Sequence, residues 1–320
     1  MMRHTKLAAI VTLLSLAAPA LGVAQDEPAT TPAAAPAAQS QYSRKGADTC
    51  IACHDEGRIL SIFKTRHGSR ADEHSPFGHG KLQCEACHGP GAAHSGRVRS
   101  GQDRPVIPYF GSASTAPAAE QNGACLSCHR GDMKHGWAGS THERQGLSCG
   151  SCHDSHATSD AVRVKATQPG VCYACHQTQK AEARLPFTHP LEQGRMGCSD
   201  CHNAHGTSTD FNLVRTTLND TCSSCHAEKR GPFLWEHAPA AEDCSLCHRA
   251  HGSTQPALLT QRAPLLCQQC HSQAGHPSLP ATASGLPGAT PSTYLLGGSC
   301  LNCHSQVHGS NHPSGAKLSR

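Results

Sequence analysis

Apolar positions along this chain are few and bunched. One continuous apolar run, Leu7 to about Leu21, follows a basic start at Arg3 and Lys6 and precedes the small residues Gly22 and Ala24. Basic, apolar and small-residue segments in that order form an export signal, so residues 1–24 are expected to be removed on secretion. The run falls short of the roughly 18 apolar residues that a spanning helix needs, and no later stretch approaches that length. Residues 25–48 begin with an Ala/Pro/Thr tract that cannot bury surface and is expected to be a flexible leader. Beyond it, apolar residues recur only in short clusters such as Ser61 to Phe63 and Pro232 to Trp235, which predict brief helices, while Gly and Pro interrupt the rest. No alternating run predicts a strand. The expected architecture is mostly coil with short α-helices and little or no β, over a domain at 49–315 that ends in a short tail, 316–320.

Composition deepens the puzzle. Leu 25, Val 9, Phe 6 and Ile 5 make 45 of 320 residues, about 14%, below the roughly 20% under which highly charged chains stay disordered. Net charge is only +4. A chain this poor in core formers, with 30 Gly, 21 Pro and 20 Cys, either stays disordered or is held together by something other than its own side chains.

The cysteines identify that something. All twenty fall in pairs three positions apart, each followed at once by His: Cys50/Cys53/His54, Cys84/Cys87/His88, Cys125/Cys128/His129, Cys149/Cys152/His153, Cys172/Cys175/His176, Cys198/Cys201/His202, Cys222/Cys225/His226, Cys244/Cys247/His248, Cys267/Cys270/His271 and Cys300/Cys303/His304. These are motifs 1 to 10 in chain order. C-x-x-C-H is the attachment signature of c-type haem: two thioethers tether the porphyrin, and the adjacent His becomes the proximal iron ligand. Structural zinc through Cys pairs, thioredoxin-like redox pairs or a disulfide scaffold would each use the thiols but leave the ten His unexplained. Ten covalent haems are therefore the expected cofactors, anchored through every thiol. They also supply the missing interior, since burial of apolar surface stabilises at roughly 25 cal/mol/Å² whichever group contributes it.

Distal ligands come from the remaining His. Removing ten proximal His and His4 from 25 leaves fourteen for ten positions. Only Met133 and Met196 survive cleavage as possible Met ligands, so low-potential bis-His haem is expected throughout. Motif starts lie 34, 41, 24, 23, 26, 24, 22, 23 and 33 residues apart, an array of two-haem units with a central period of 45 to 50. In the central units His142, His189 and His237 precede the second motif, and His156, His205 and His251 sit three residues beyond its proximal His. His67 and His94 hold comparable places at the N-terminal end, as do His276 and either His308 or His312 at the other. His74, His79 and His135 are spare.

Size and charge bear on function. About 30 mature residues per haem leave too little polypeptide to insulate one haem from the next. A compact globule of 296 residues would measure roughly 50 Å across, already the depth of a bilayer with its headgroups, about 40–45 Å. Cleavage of Arg3 and Lys6 takes the formal charge from +4 to +2. Ten haems, each with two propionates, add about −10 when ferric and about −20 when ferrous, so the loaded protein is acidic and nucleic-acid binding is disfavoured.

The flanks of the motifs carry a resemblance. Leu82 to His94 reads LQCEACHGPGAAH, Gly197 to Gly206 reads GCSDCHNAHG, Phe233 to Ser253 reads FLWEHAPAAEDCSLCHRAHGS and Cys300 to Gly315 reads CLNCHSQVHGSNHPSG. In register and content the chain resembles the periplasmic decahaem cytochromes of the MtrA/DmsE type, from about Cys50 to Gly315. The resemblance implies bis-His haems in an elongated stack that inserts into an outer-membrane β-barrel of the MtrB/PioB type. It further implies exchange with periplasmic or inner-membrane donor cytochromes and, on the outer side, with a multihaem cytochrome or reductase. It leaves electron direction open.

Three functions follow from the residues. In a conduit, six-coordinate haems accept and release electrons along a wire. A multihaem reductase would need a vacant iron site, often marked by a substituted motif His, yet all ten motifs end in His. A freely diffusing periplasmic electron shuttle or store would share the wire chemistry without the barrel.

Overall fold

A computed structural model describes residues 41–131, 136–271 and 300–319. Its α-helices are α1 (Ala47–Ile51), α2 (Gly57–Leu60), α3 (Glu85–His88), α4 (Ala92–Ser95), α5 (Ala118–Leu126), α6 (Thr141–Arg144), α7 (Gln168–Cys172), α8 (Gln177–Glu182), α9 (Leu218–Ser223), α10 (Ala238–Glu242) and α11 (Ala263–Gln268). The longest among the described residues has 9 residues, too short to be stable alone in water. Among the described residues β-structure is limited to isolated bridges, including His202 with Leu213 and His248 with Leu259. The architecture of the described residues is short helices in mostly coil.

The motifs alternate between two settings. In the odd-numbered ones the first Cys ends or nearly ends an α-helix: Cys50 in α1, Cys125 in α5, Cys172 in α7, Cys222 in α9 and Cys267 in α11. Four of the even-numbered ones open instead on 3-10 turns, Cys149–Ser151, Cys198–Asp200, Cys244–Leu246 and Cys300–Asn302, whereas Cys84 leads directly into α3. Amide side chains tie the two kinds together. Asn122 of α5 accepts from Cys149 N at 2.7 Å, and Asn219 of α9 accepts from Cys244 N at 2.9 Å. Gln168 of α7 accepts from Ser199 N at 3.0 Å, and in the first unit Gln83 accepts from Ala47 N at 2.6 Å. Asn122 and Gln168 are buried. Each bond satisfies a donor at the start of a helical turn that has no partner inside that turn.

Burial is scant. Among the described residues the buried apolar ones are Ala47, Ile62, Phe77, Trp137, Tyr173, Ala183 and Leu213, of which Ala47, Ile62 and Phe77 form a cluster, with Phe63 and Cys84 against it. No large side chain among the described residues is fully buried. Polypeptide alone does not supply an interior of the usual packing density.

Of the two helices expected from apolar clusters, Ser61 to Phe63 lies in a 3-10 turn, Ser61–Lys64. Pro232 to Trp235 is not helical. Trp235 instead exchanges backbone hydrogen bonds with Ser310 at 2.8 Å each, and Phe233 packs over Gly309, whose φ is +135. The cluster serves a tertiary contact 75 residues away rather than a local turn. The export segment at 1–24 and the leader as far as residue 40 lie outside the described residues.

Candidate haem sites

Every motif is one helical turn. The His N–H donates to the carbonyl of the first Cys at 2.9–3.0 Å in all ten, from His54 onto Cys50 to His304 onto Cys300. Residues i, i+3 and i+4 of a helical turn share a face. Both thiols and the ring are therefore presented together, as attachment to one porphyrin requires.

Consecutive motifs meet through their sulfurs. First thiols are in side-chain contact within each unit: Cys50 with Cys84, Cys125 with Cys149, Cys172 with Cys198, Cys222 with Cys244 and Cys267 with Cys300. Second thiols lie within electrostatic reach of one another across units: Cys87 and Cys128, Cys152 and Cys175, Cys201 and Cys225, Cys247 and Cys270. Thiol interactions thus link motif 1 to motif 10 in chain order.

Exposure follows position within the motif: every first thiol is half-buried, whereas the second thiols are exposed apart from half-buried Cys201 and Cys247. Cys53 and Cys303 are the second thiols of the first and last motifs, with no further motif beyond them in the chain. Their own turns still present them beside Cys50 and His54, and beside Cys300 and His304: Cys53 N donates to Cys50 O at 3.1 Å and Cys303 N to Cys300 O at 3.2 Å.

Histidine rings meet in pairs. His54 faces His94 (6.2 Å between ring centroids), His88 faces His156 (6.3 Å), His129 faces His67 (5.9 Å) and His153 faces His205 (6.1 Å). His176 faces His142 (6.1 Å), His202 faces His251 (6.1 Å) and His226 faces His189 (6.4 Å). His248 faces His308 (6.1 Å) and His271 faces His237 (6.1 Å). An imidazole nitrogen binds a transition metal at about 2.0–2.1 Å. With each nitrogen about 1.1 Å from its ring centroid, two rings on opposite sides of one metal have centroids about 6.2 Å apart. The observed separations fit a six-coordinate iron between the rings.

The ring nitrogens are oriented to match. Nδ1 of His88 donates to Pro108 O (2.7 Å), His202 to Phe211 O (2.8 Å), His248 to Ala257 O (2.8 Å) and His304 to Lys317 O (2.7 Å). Among the facing rings, His94 donates to Pro105 O, His142 to Ala204 O, His189 to Ala250 O and His237 to Val307 O, at 2.7–2.9 Å. A carbonyl only accepts, so Nδ1 carries the proton and Nε2 is left as a neutral ligand. Burial lowers the pKa of His88, His251 and His308, further favouring the neutral ring.

Two buried donors, Trp137 Nε1 and Tyr173 OH, have no hydrogen-bond partner among the described residues. Trp137 packs edge-on against His205, 6.3 Å between centroids, and Tyr173 follows Cys172 directly. Haem propionates are acceptors that would satisfy such donors.

His308 and His312 part company here: the ring of His308 faces His248, whereas Nδ1 of His312 bonds Ser314 Oγ at 2.9 Å. His74 and His79 are exposed. His276 and His135 lie outside the described residues. The bracketing residues Asn122, Gln168 and Asn219 were not singled out from sequence; their only signal is an amide four positions (three for Asn122 and Asn219) before an odd-motif first Cys.

Repeated thiol-bearing turns and facing neutral rings define a multihaem c-type cytochrome. The doubled CXXCH motif family matches residues 189–231 and 237–276, and the NrfB-like cytochrome c-type protein family matches 84–168. The chain is 47% identical over 286 residues to the multiheme cytochrome MtrA of Shewanella baltica, covering 88% of this chain and 84% of the relative. It is 30% identical over 197 residues to the cytochrome c-type protein NrfB of Haemophilus influenzae, covering 54% of this chain and 85% of that protein. The chain belongs to the MtrA family of multihaem cytochromes. It binds haem c, and its chemistry is electron transfer.

Proposed function

We propose that the chain carries ten c-type haems, each held by the two Cys of its motif with the motif His as proximal ligand, the exposed Cys53 and Cys303 included. The facing His is the distal ligand: His94, His156, His67, His205, His142, His251, His189, His308 and His237 for motifs 1 to 9, with His276 left for motif 10. Haem iron supplies one-electron exchange, Fe(III) to Fe(II). The residues of this chain hold the irons six-coordinate, keep Nδ1 protonated and fix the order of the sites. The observation that carries this reading is the combination of facing rings at the spacing of one metal and thiol interactions that follow chain order. Electrons would pass from each haem to its neighbour in sequence, and six-coordinate iron leaves no position for substrate. The first and last haems would each have one neighbour in the series, which leaves their other side for exchange partners.

The wire would work at an outer membrane. Residues 1–24 direct export, and residues 25–48 tether the domain at 49–315, with 316–320 as a tail. The partner is an outer-membrane β-barrel of the MtrB/PioB type, with periplasmic or inner-membrane cytochromes as one exchange partner and an outer-surface multihaem cytochrome or reductase as the other. No helix among the described residues is long and apolar enough to cross a membrane. Crossing inside a barrel would need none, because the barrel satisfies its own backbone and shields the polar chain from lipid. Crosslinking in outer membranes followed by affinity capture tests this. Recovery with a barrel protein is expected, and recovery only as a free monomer would leave a diffusing shuttle.

A further inference from the structure

Nδ1 of the even-motif proximal His has a recurring partner, a backbone carbonyl, at motifs 2, 6, 8 and 10. Motif 4 departs from it. Nδ1 of His153 donates to Asp160 Oδ2 at 2.6 Å, and the carboxylate is only 16% exposed. In motifs 6 and 8 the acceptor comes from the ninth residue after the His, Phe211 or Ala257, each with φ near +55. In motif 4 the seventh residue, Asp160, brings its side chain there instead, while its second oxygen accepts from Asp154 N at 3.4 Å. Arg58 pairs with Asp154 at 3.2 Å.

We propose that Asp160 sets the potential of the motif-4 haem by acting through His153. This rests on the haem reading above. A carboxylate acceptor draws the Nδ1 proton more strongly than a carbonyl does, so the ring donates more charge through Nε2 and favours ferric over ferrous iron. Asp160 is thus a positioning residue that lowers the potential of this haem relative to those at motifs 2, 8 and 10. Reduction takes one electron, Fe(III) to Fe(II), with the proton staying on Nδ1 and no bond made or broken. At a given poise this site holds fewer electrons than those at motifs 2, 8 and 10.

A weaker counterpart points the same way. Nδ1 of His251, the ring facing His202, lies 3.3 Å from Glu182 Oε2. The longer distance and greater exposure of Glu182 give a smaller effect at motif 6.

The test is reductive titration of full-length holoprotein, followed by haem absorbance, for the natural chain, Asp160→Asn and Asp160→Glu. The Asn side chain keeps an acceptor oxygen but removes the charge. The difference between natural and Asn curves should integrate to one haem, shifted to higher potential by about tenfold in the ferric/ferrous ratio, or about 59 mV for one electron. Glu should return the curve towards the natural one. Superimposable natural and Asn curves overturn the proposal. Haem count by mass and low-spin signal on the same samples separate the outcomes: a missing or high-spin haem in the natural chain overturns the haem reading, whereas unchanged count and spin with an unmoved potential overturn only the role of Asp160. A second arm leaves Asp160 in place. In the natural chain, the low-spin signal that His205→Met displaces should be reduced after those that His156→Met and His308→Met displace at motifs 2 and 8, and its reduction before both overturns the proposal.

Discussion

The rings of His153 and His205 lie 6.1 Å apart and 6° from parallel, although 52 residues separate them and they belong to different two-haem units. The same crossing recurs wherever an even motif is followed by another. His88 faces His156, His202 faces His251 and His248 faces His308, so motifs 2, 4, 6 and 8 each meet a ring supplied next to the following even motif. The units are interlocked, and a change in one is felt at the iron of its neighbour.

Removing one such ring should therefore change one distant haem. His205→Ala is expected to convert the motif-4 haem, and no other, to a high-spin form that binds carbon monoxide once reduced. His205→Met should keep it low-spin at a raised potential. Electron paramagnetic resonance and carbon monoxide titration measure both. A high-spin signal traced to motif 6, the motif nearest in sequence, would show the pairing to be wrong.

Gly206 allows that ring to reach its place. Its φ is +100, and a Cβ there would sit 2.4 Å from the Gly136 carbonyl oxygen. Gly206→Ala must shift backbone and strain φ, costing on the order of 1–3 kcal/mol. Thermal melting of the holoprotein should show the loss, accompanied by partial weakening of the motif-4 low-spin signal.

The amide brackets are a separate source of stability. Asn122 is buried and accepts from Cys149 N while donating to Leu147 O at 3.4 Å. Asn122→Ala strands a buried N–H and should cost about 1–3 kcal/mol. Asn122→Asp keeps the acceptor and should cost less. Haem count should stay unchanged in both, since no thiol is touched.

Without cofactor the chain should not fold. Among the described residues its buried apolar set comes to seven, three of which form the one cluster, whereas ligands that favour only the folded state contribute their binding free energy to folding. Circular dichroism of chain produced without haem attachment should show little helix and no cooperative melt. A native-like transition would mean that the polypeptide holds its own interior.

Much of this was written in local sequence. A C-x-x-C-H turn needs only one helical turn to display its three side chains, so all ten were legible, and the scarcity of Leu, Ile, Val and Phe foretold the sparse core. Histidines three residues beyond a proximal His, as in CHNAH, were legible as candidates. Their partners were not, because the chain path between units decides that His205 meets His153 rather than His202. The same path decides which second thiols come within electrostatic reach of one another across units. The carbonyls opposite Nδ1 and the carboxylate of Asp160 were likewise hidden, since left-handed turns at Phe211 and Ala257 leave no strong residue signature. Pro232 to Trp235 misled for a related reason: an apolar cluster on a chain with so little core is recruited by distant backbone.

The central claim is that ten irons, each between two imidazoles, form both the interior and the working parts of this protein. Quantitative electron paramagnetic resonance of the oxidised, full-length holoprotein tests it most directly. Ten low-spin ferric centres per chain, with no high-spin signal, are predicted. Fewer centres, or a high-spin fraction amounting to one haem or more, would contradict it.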